Sequence, residues 1–304
     1  MRARITRPLV AALAVLTGLA GIYSVGLQWD RRDAPIVVQA VDPTPVHAGH
    51  QTDPWSSTVF ILVLGSDERA GLGGARTDAF HVIGLNPGQR KATILNFPRD
   101  TWVDIPGHGQ GRINSAYTFG GAQLAAQTVG QLIGVPLGFV VVTTFDGLKG
   151  LVDGLGGVSI DVPYLMSDPN SGAALDPGPQ TLNGYQALGW SRDRHIPGGD
   201  IARTGHQAEL IVHALGDLRG KGTDLTGLLH SLDVLYRNVR FEGVSARDVY
   251  RLGRAALRVD PKDFRNFTVP VVGGFKGPAS VQFLTGDFGG LFADFRDDAV
   301  LQNH

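Results

Sequence analysis

Three apolar runs, each closed by an acidic or basic residue, limit what this chain can fold into. Val59 to Leu64 is uninterrupted and stops at Gly65-Ser66-Asp67, the pattern of a buried strand that delivers a carboxylate to a sheet edge. A glycine-rich loop holding Gly71, Gly73 and Gly74 follows, then Arg76-Thr77-Asp78 and a second run, Ala79 to Leu85. In a strand Arg76 and Asp78 share one face, because side chains alternate with period two. The third run, Ala92 to Phe97, ends in Pro98-Arg99-Asp100. Neighbouring strands that each bring Asp and Arg to one end suit a divalent cation bridging to phosphate oxygens. Mg²⁺ is usually held by one or two carboxylates, while waters and substrate phosphates complete its shell.

The chain has 304 residues with 27 basic and 28 acidic side chains and a net charge of −1. It therefore lacks the basic field that nonspecific nucleic-acid binding uses, and nucleic acid is not an expected partner. Cysteine is absent, which excludes disulfides, thiolate metal sites and cysteine nucleophiles. At the amino end Arg2, Arg4 and Arg7 precede an uncharged run from Pro8 to Leu27. At 1.5 Å per residue that run is long enough to span a hydrocarbon core of about 30 Å. The reading is a cytoplasmic tail over residues 1–7, an uncleaved transmembrane signal anchor over 8–27, and the bulk of the chain outside the membrane. A cleaved signal peptide is the competing reading. Residues 28–55 hold Pro35, Pro43, Pro45 and Pro54 and read as an extended linker. Residues 56–298 then read as one domain and 299–304 as a short tail.

Within that domain a helix is expected from Gly121 to Ile133, a strand from Phe139 to Thr143, and a helix capped by Asp146 with Leu148, Leu151, Val152 and Leu155 on one face. A strand over Val158 to Val162 follows. Strand and helix alternate, so the class is α/β with helices packed on a central sheet. Farther on, Ser191-Arg192-Asp193-Arg194-His195 reads as extended backbone that places Arg192 and Arg194 on one face. Asp200 then caps a helix with Arg203 and Gln207 at i and i+4 near its positive end. Three guanidinium groups beside a helix amino terminus suit a doubly charged anion. Ion pairs of these arginines with Asp193, Asp200 and Glu209 are the plainer reading of the same spacing.

The runs GSDERAGLGGARTD, PRDTWVDIPG, RINSAYTFGG, DGLKGLVDGLGGVSIDVP and SRDRHIPGGDIARTGHQ resemble, in order and spacing, the LytR-CpsA-Psr cell-wall polymer ligases of Gram-positive and actinobacterial envelopes. The resemblance implies an α-β-α fold whose central mixed sheet and helices enclose an apolar pocket for a prenyl tail. It also implies transfer of a glycan phosphate from a polyprenyl-pyrophosphate carrier to a peptidoglycan hydroxyl, with Mg²⁺ on the pyrophosphate. By motif position Asp67 and Asp78 are the metal carboxylates. Arg76, Arg99, Arg192, Arg194 and Arg203 are the pyrophosphate clamp, and Gln207 is its polar neighbour; Asp67, Asp78 and Arg99 carry the chemistry. Asp100 and Asn114 are weaker candidates. The pattern departs at His206, where the family usually has a second arginine before the glutamine, so residue 206 is expected to face or flank the pyrophosphate. A non-catalytic prenyl-phosphate-binding or wall-assembly scaffold protein of the same fold is the second reading.

Overall fold

Alternation within the first apolar run decides how the sheet is covered. In the computed structural model, which describes residues 36–41, 58–66, 77–221 and 225–302, Phe60, Leu62 and Leu64 pack into one core and Val59, Ile61 and Val63 into another. Both faces are therefore buried, as the unbroken apolar run requires. The chain opens with β1 (Ile36–Ala40), β2 (Val59–Ser66), β3 (Thr77–Asn86), β4 (Lys91–Phe97), β5 (Trp102–Ile105), β6 (Gly109–Arg112), α1 (Ile113–Ile133) and β7 (Phe139–Thr144). Next come α2 (Phe145–Gly154), β8 (Val158–Val162), β9 (Met166–Asp168), β10 (Ala173–Leu175), β11 (Gly178–Leu182), α3 (Gly184–Arg192) and α4 (Gly199–Lys221). It closes with α5 (Leu225–Asn238), β12 (Val239–Glu242), α6 (Ala246–Arg258), β13 (Phe264–Thr268), β14 (Val271–Lys276), β15 (Ala279–Leu284) and α7 (Phe288–Asp298).

The central sheet has seven strands in the order β12-β1-β7-β2-β3-β4-β13. It is mixed: β7 runs parallel to β2, while β3 runs antiparallel to both β2 and β4. The carboxyl ends of β2, β4 and β7 and the amino end of β3 thus share one edge, the geometry expected from the Asp and Arg residues that close those runs. On one face α1 and α7 contribute Ile113, Val129, Ile133, Phe292 and Phe295 to the core. On the other, α4 and α6 contribute Ala208, Ala255 and packed Ile211 and Leu252. This is the α-β-α arrangement with a central mixed sheet that the sequence implied.

Several local expectations are corrected. Ile36–Ala40, read as linker, pairs with β7 and β12 inside the sheet; IVVQA is a short β-branched strand that the surrounding prolines obscured. Ala299, Val300 and Leu301, read as tail, are buried. The helix expected from Gly121 to Ile133 is present, and a shorter one from Ile113 runs into it: Gly120 (φ −148°, ψ 22°) and Gly121 (φ 61°, ψ −154°) have non-helical backbone, so α1 is two helices joined at a kink. Thr144 rather than Asp146 caps α2, accepting from Gly147 N at 3.1 Å. The expected anchor at residues 8–27 lies outside the described residues.

A polar ladder crosses the sheet. Asn266 donates through Nδ2 to the Gly205 carbonyl at 3.0 Å, Asn96 donates through Nδ2 to Asn266 Oδ1 at 2.5 Å, and His81 Nδ1 meets Asn96 Oδ1 at 2.8 Å. It ties α4, β13, β4 and β3 together. Burial lowers the His81 pKa from 6.5 to about 4, against the opposing hydrogen bonds.

Two outcomes follow from this packing. A chain beginning at residue 56 lacks β1, and with it Ile36 and Val38, which are 4% and 8% exposed. Urea unfolding should show it at least about 3 kcal/mol less stable than one that keeps the strand, and equal midpoints would show that β1 contributes nothing. For His81 the folded pKa is depressed, so the unfolded chain binds the proton more readily. The stabilisation is complete above pH 6.5 and is lost as pH falls toward about 4, a change of about 3 kcal/mol. In His81→Gln the denaturation midpoint should depend less steeply on pH across that window, and an unchanged slope would sink the assignment.

Candidate functional site

A cavity of about 740 Å³ opens on the sheet face covered by α4. Its floor is two cross-strand rows. One is Ala79, Gly65, Thr143 and Ile36; the row one pleat deeper is His81, Val63, Val141 and Val38. Gly65 keeps the first row low: a Cβ there would stand 3.0 Å from the Ala79 Cβ. Leu148, Leu151 and Val152 from α2, Leu155 just beyond its end and Leu235 from α5 form an apolar wall. Residues first read as an ordinary helix face therefore line a void, as only the family resemblance implied.

The other end is polar. Asp78, at the start of β3, lines the cavity and is bonded through Oδ1 to Arg99 Nη1. Arg99 stands just beyond β4, with Nε 3.7 Å from Asp100 Oδ2. Burial works to lower the Arg99 pKa, but Asp78, Asp100 and Asp200 raise it above its ordinary value. Arg192 is the last residue of α3; it lies over the Phe145 ring at 4.8 Å and donates to the Ser171 carbonyl at 3.3 Å. It is helical rather than extended, because a nine-residue helix with a capping box at Asn183 runs through it. Arg194 follows that helix, with Nε 3.5 Å from Asp200 Oδ1, and both arginines line the cavity. Asp200 sits inside α4, which begins at Gly199, rather than capping it.

Arg203 is the most confined cation, at 2% exposure. Its Nη2 lies 2.9 Å from Asp200 Oδ1 as an ion pair, yet neither Nε nor Nη2 has a hydrogen-bond partner among the described residues. Burial pulls its pKa down, Asp200 opposes, and Arg194 and Arg99 add to the pull. Gln207, one turn on, donates through Nε2 to the Ser191 carbonyl at 3.0 Å and leaves Oε1 buried without a partner. Arg99, which joins the cavity through Asp78 rather than by lining it, also has a buried Nε with no hydrogen-bond partner among the described residues. These orphaned donors around one cavity end describe a receptor for an anion's oxygens.

The structure thus brings Asp78, Arg99, Arg192, Arg194, Arg203 and Gln207 together. Asp67 and Arg76 lie outside the described residues. Asp100 joins Arg99 to Arg112, 3.6 Å away, and has a supporting place. Asn114 donates its backbone N–H to the Arg99 carbonyl at 3.2 Å, which ties the start of α1 to that corner. His206 overturns the expectation drawn from the departure in the motif. It stacks on Trp190 at 4.3 Å and meets Tyr164 Oη at 3.2 Å, and it is absent from the cavity lining. It falls on the packed side of α4, and burial lowers its pKa while Asp193 opposes.

Sequence reading missed His81, Asp168, Ser171 and His195, which also line the cavity. Asp168, Asp193 and His195 offer ligand atoms within 4.8 Å of one another. Both carboxylates already serve the loop: Asp168 accepts from Asn170 N and Ser171 N at 3.0 and 3.2 Å, and Asp193 from His195 N at 2.8 Å. No motif marks these residues, since loop contacts between α3 and β9 assemble them.

A model of the LytR_cpsA_psr family matches residues 37–287. "Polyisoprenyl-teichoic acid--peptidoglycan teichoic acid transferase TagU" of Oceanobacillus iheyensis is 32% identical over 240 residues, 76% of this chain and 73% of that protein. "Regulatory protein MsrR" of Staphylococcus aureus is 29% identical over 251 residues, 82% of this chain and 73% of that protein. Among solved structures, "TagT bound to LIIa-WTA" superposes with a TM-score of 0.70 at 22% identity, covering 85% of this chain and 96% of that one. "LytR-CPS2A-psr family protein YwtF (TagT) with bound octaprenyl pyrophosphate lipid" gives 0.65 at 20% identity, covering 84% and 96%; at such identities the likeness speaks for the fold alone. With the family match spanning nearly the whole described domain, this chain belongs to the LytR-CpsA-Psr family.

Proposed function

We propose that this protein is an extracytoplasmic phosphotransferase that moves a glycan phosphate from a polyprenyl-pyrophosphate carrier to a hydroxyl of peptidoglycan. The observation that carries the reading is the two-part cavity. The buried Arg203 guanidinium, with N–H groups that have no hydrogen-bond partner among the described residues, stands at one end, and the aliphatic wall of α2, α4 and α5 runs away from it. A pyrophosphate with an apolar tail has that same division. The named activity of the TagU relative supports transfer to peptidoglycan, and the lipid named with the TagT fold neighbour supports a polyprenyl pyrophosphate in the cavity.

The acceptor hydroxyl attacks the phosphorus on the glycan side, the pyrophosphate bridge breaks, and prenyl monophosphate leaves. Such a transfer depends on charge neutralisation and positioning more than on a covalent partner in the protein. Arg203 and Arg99 bring fixed, desolvated donors, while Arg192 and Arg194 add forks nearer the opening. Asp78, with Asp67 by its motif position, would hold Mg²⁺. The Asp78 side chain is a hard oxygen donor, 24% exposed at the cavity, which suits that ion. When bound, Mg²⁺ neutralises charge on the pyrophosphate. Residues 8–27 as a membrane anchor, with the domain on the outer side, complete the proposal, since prenyl carriers are membrane lipids.

A turnover assay separates this reading from a lipid-holding scaffold: a ligase releases prenyl monophosphate when given Mg²⁺ and an acceptor glycan, and a scaffold does not. In that assay Asp78→Asn should lose at least about 100-fold in rate while melting within a few degrees of the parent. Activity within threefold, about 0.7 kcal/mol, would remove Asp78 from the metal site. Arg192→Lys should weaken prenyl-pyrophosphate binding about tenfold, because an ammonium cannot contact two phosphate oxygens in one plane. Calorimetric affinity equal to the parent's would show that charge alone is needed there.

A further inference from the structure

The polar ladder ends in the cavity, and its direction is fixed from the far end. The Gly205 carbonyl can only accept, so Asn266 presents Nδ2 to it and Oδ1 to Asn96. Asn96 therefore turns Nδ2 toward Asn266, and its Oδ1 receives a proton from His81 Nδ1. A neutral imidazole protonated at Nδ1 has only a lone pair at Nε2. That atom is buried, has no hydrogen-bond partner among the described residues and belongs to a residue 1% exposed on the cavity floor. Gln207 is fixed in the same way: its Nε2 donates to the Ser191 carbonyl, so Oε1 is an acceptor, also buried and unpartnered. The amide lies within reach of the imidazole, where a hydrogen bond between them would need a proton on Nε2 and so favours the charged ring, while burial favours the neutral one. Two lone-pair acceptors thus share one spot between the arginine clamp and the apolar wall, where the pyrophosphate diester of the preceding section brings only further acceptors.

We infer that His81 Nε2 and Gln207 Oε1 form an acceptor subsite that takes one O–H donor of the bound lipid phosphate, and that His81 is a ligand-positioning residue. The inference rests on the lipid-phosphate reading of the cavity. The O–H has two sources: the P–OH of a monoanionic phosphate monoester, which is the chemistry of the prenyl monophosphate product, or a water bound with the anion. A donor there relieves the opposed lone pairs, and an unmet buried acceptor is costly. Arg203 is the charged group nearest this spot from α4, and Asp78 and Arg99 stand at the neighbouring strand ends.

The test uses decyl phosphate and decyl methyl phosphate as probes at pH 5.5, where both carry a single negative charge and only the first has a P–OH. Calorimetry on the full chain should give His81→Met at least about fivefold weaker binding than the parent for decyl phosphate. If the parent prefers decyl phosphate and His81→Met does not, the donor is the P–OH. Should the parent bind both probes alike and His81→Met weaken both, the donor is water. Affinities of His81→Met within twofold of the parent for both probes overturn the subsite. Imidazole nitrogen shifts of the labelled parent protein give a readout independent of how the variant folds. An Nδ1-protonated ring whose Nε2 signal moves on adding decyl phosphate supports the inference, and an Nε2-protonated ring overturns it. If neither probe binds the parent, the lipid-phosphate reading falls and this inference with it, a result distinct from binding that ignores His81.

Discussion

A guanidinium almost without access to water, next to other guanidiniums, is the constraint on which the site depends. Among the described residues Arg203 has one carboxylate at contact distance, Asp200, and that carboxylate is shared with Arg194. Removing a charge from water is expensive unless its partners repay the desolvation, and one shared carboxylate does so incompletely. The depressed pKa of Arg203 expresses that imbalance. An anion with several oxygens corrects it, and its binding draws on electrostatic cost already built into the fold. The Asp78–Arg99 contact keeps a second guanidinium beside the opening in the meantime.

The sheet makes this arrangement possible because its strands do not all run the same way. With β3 antiparallel to β2 and β4, the start of one strand and the ends of two others meet at one edge. Asp78 and Arg99, 21 residues apart in sequence, therefore touch. The floor beyond them is kept open by small side chains, Gly65 and Ala79, and continues as Val63, Val141 and Val38. Polar and apolar ends follow from position along the same strands.

Much of this was legible from residues. Unbroken apolar runs announced strands buried on both faces, and the residues closing them named the edge that carries charge. Three of the arginines identified by motif line one cavity with Gln207, and Arg99 joins them through Asp78. What was not legible has physical reasons. Ile36–Ala40 joins the sheet through pairing with β7 and β12, and a five-residue strand among prolines has no periodicity long enough to register. Leu148 and Leu151 look the same in sequence whether they face a neighbour or a void. His81 sits in an apolar run with nothing local to show that its ring nitrogens matter; that depends on Asn96, 15 residues away, and Asn266, 170 residues beyond Asn96.

Helix α4 gathers these requirements on one face. Arg203, Gln207, Leu210, Ile211, Ala214, Leu215 and Leu218 all line the cavity, and their spacing of three or four residues keeps them in a single stripe. At 1.5 Å per residue the stripe runs about 22 Å from guanidinium to leucine. Its charged end lies near the helix amino terminus, where the backbone dipole adds to the attraction for an anion. The stripe also bears on where His206 lies, since that residue is not among those lining the cavity. His206 falls just outside the edge of the stripe marked by Arg203 and Leu210, and its ring packs on Trp190 and meets Tyr164. In this chain the stripe along α4 thus determines which of the helix's residues line the cavity, and His206 stands beside it rather than within it.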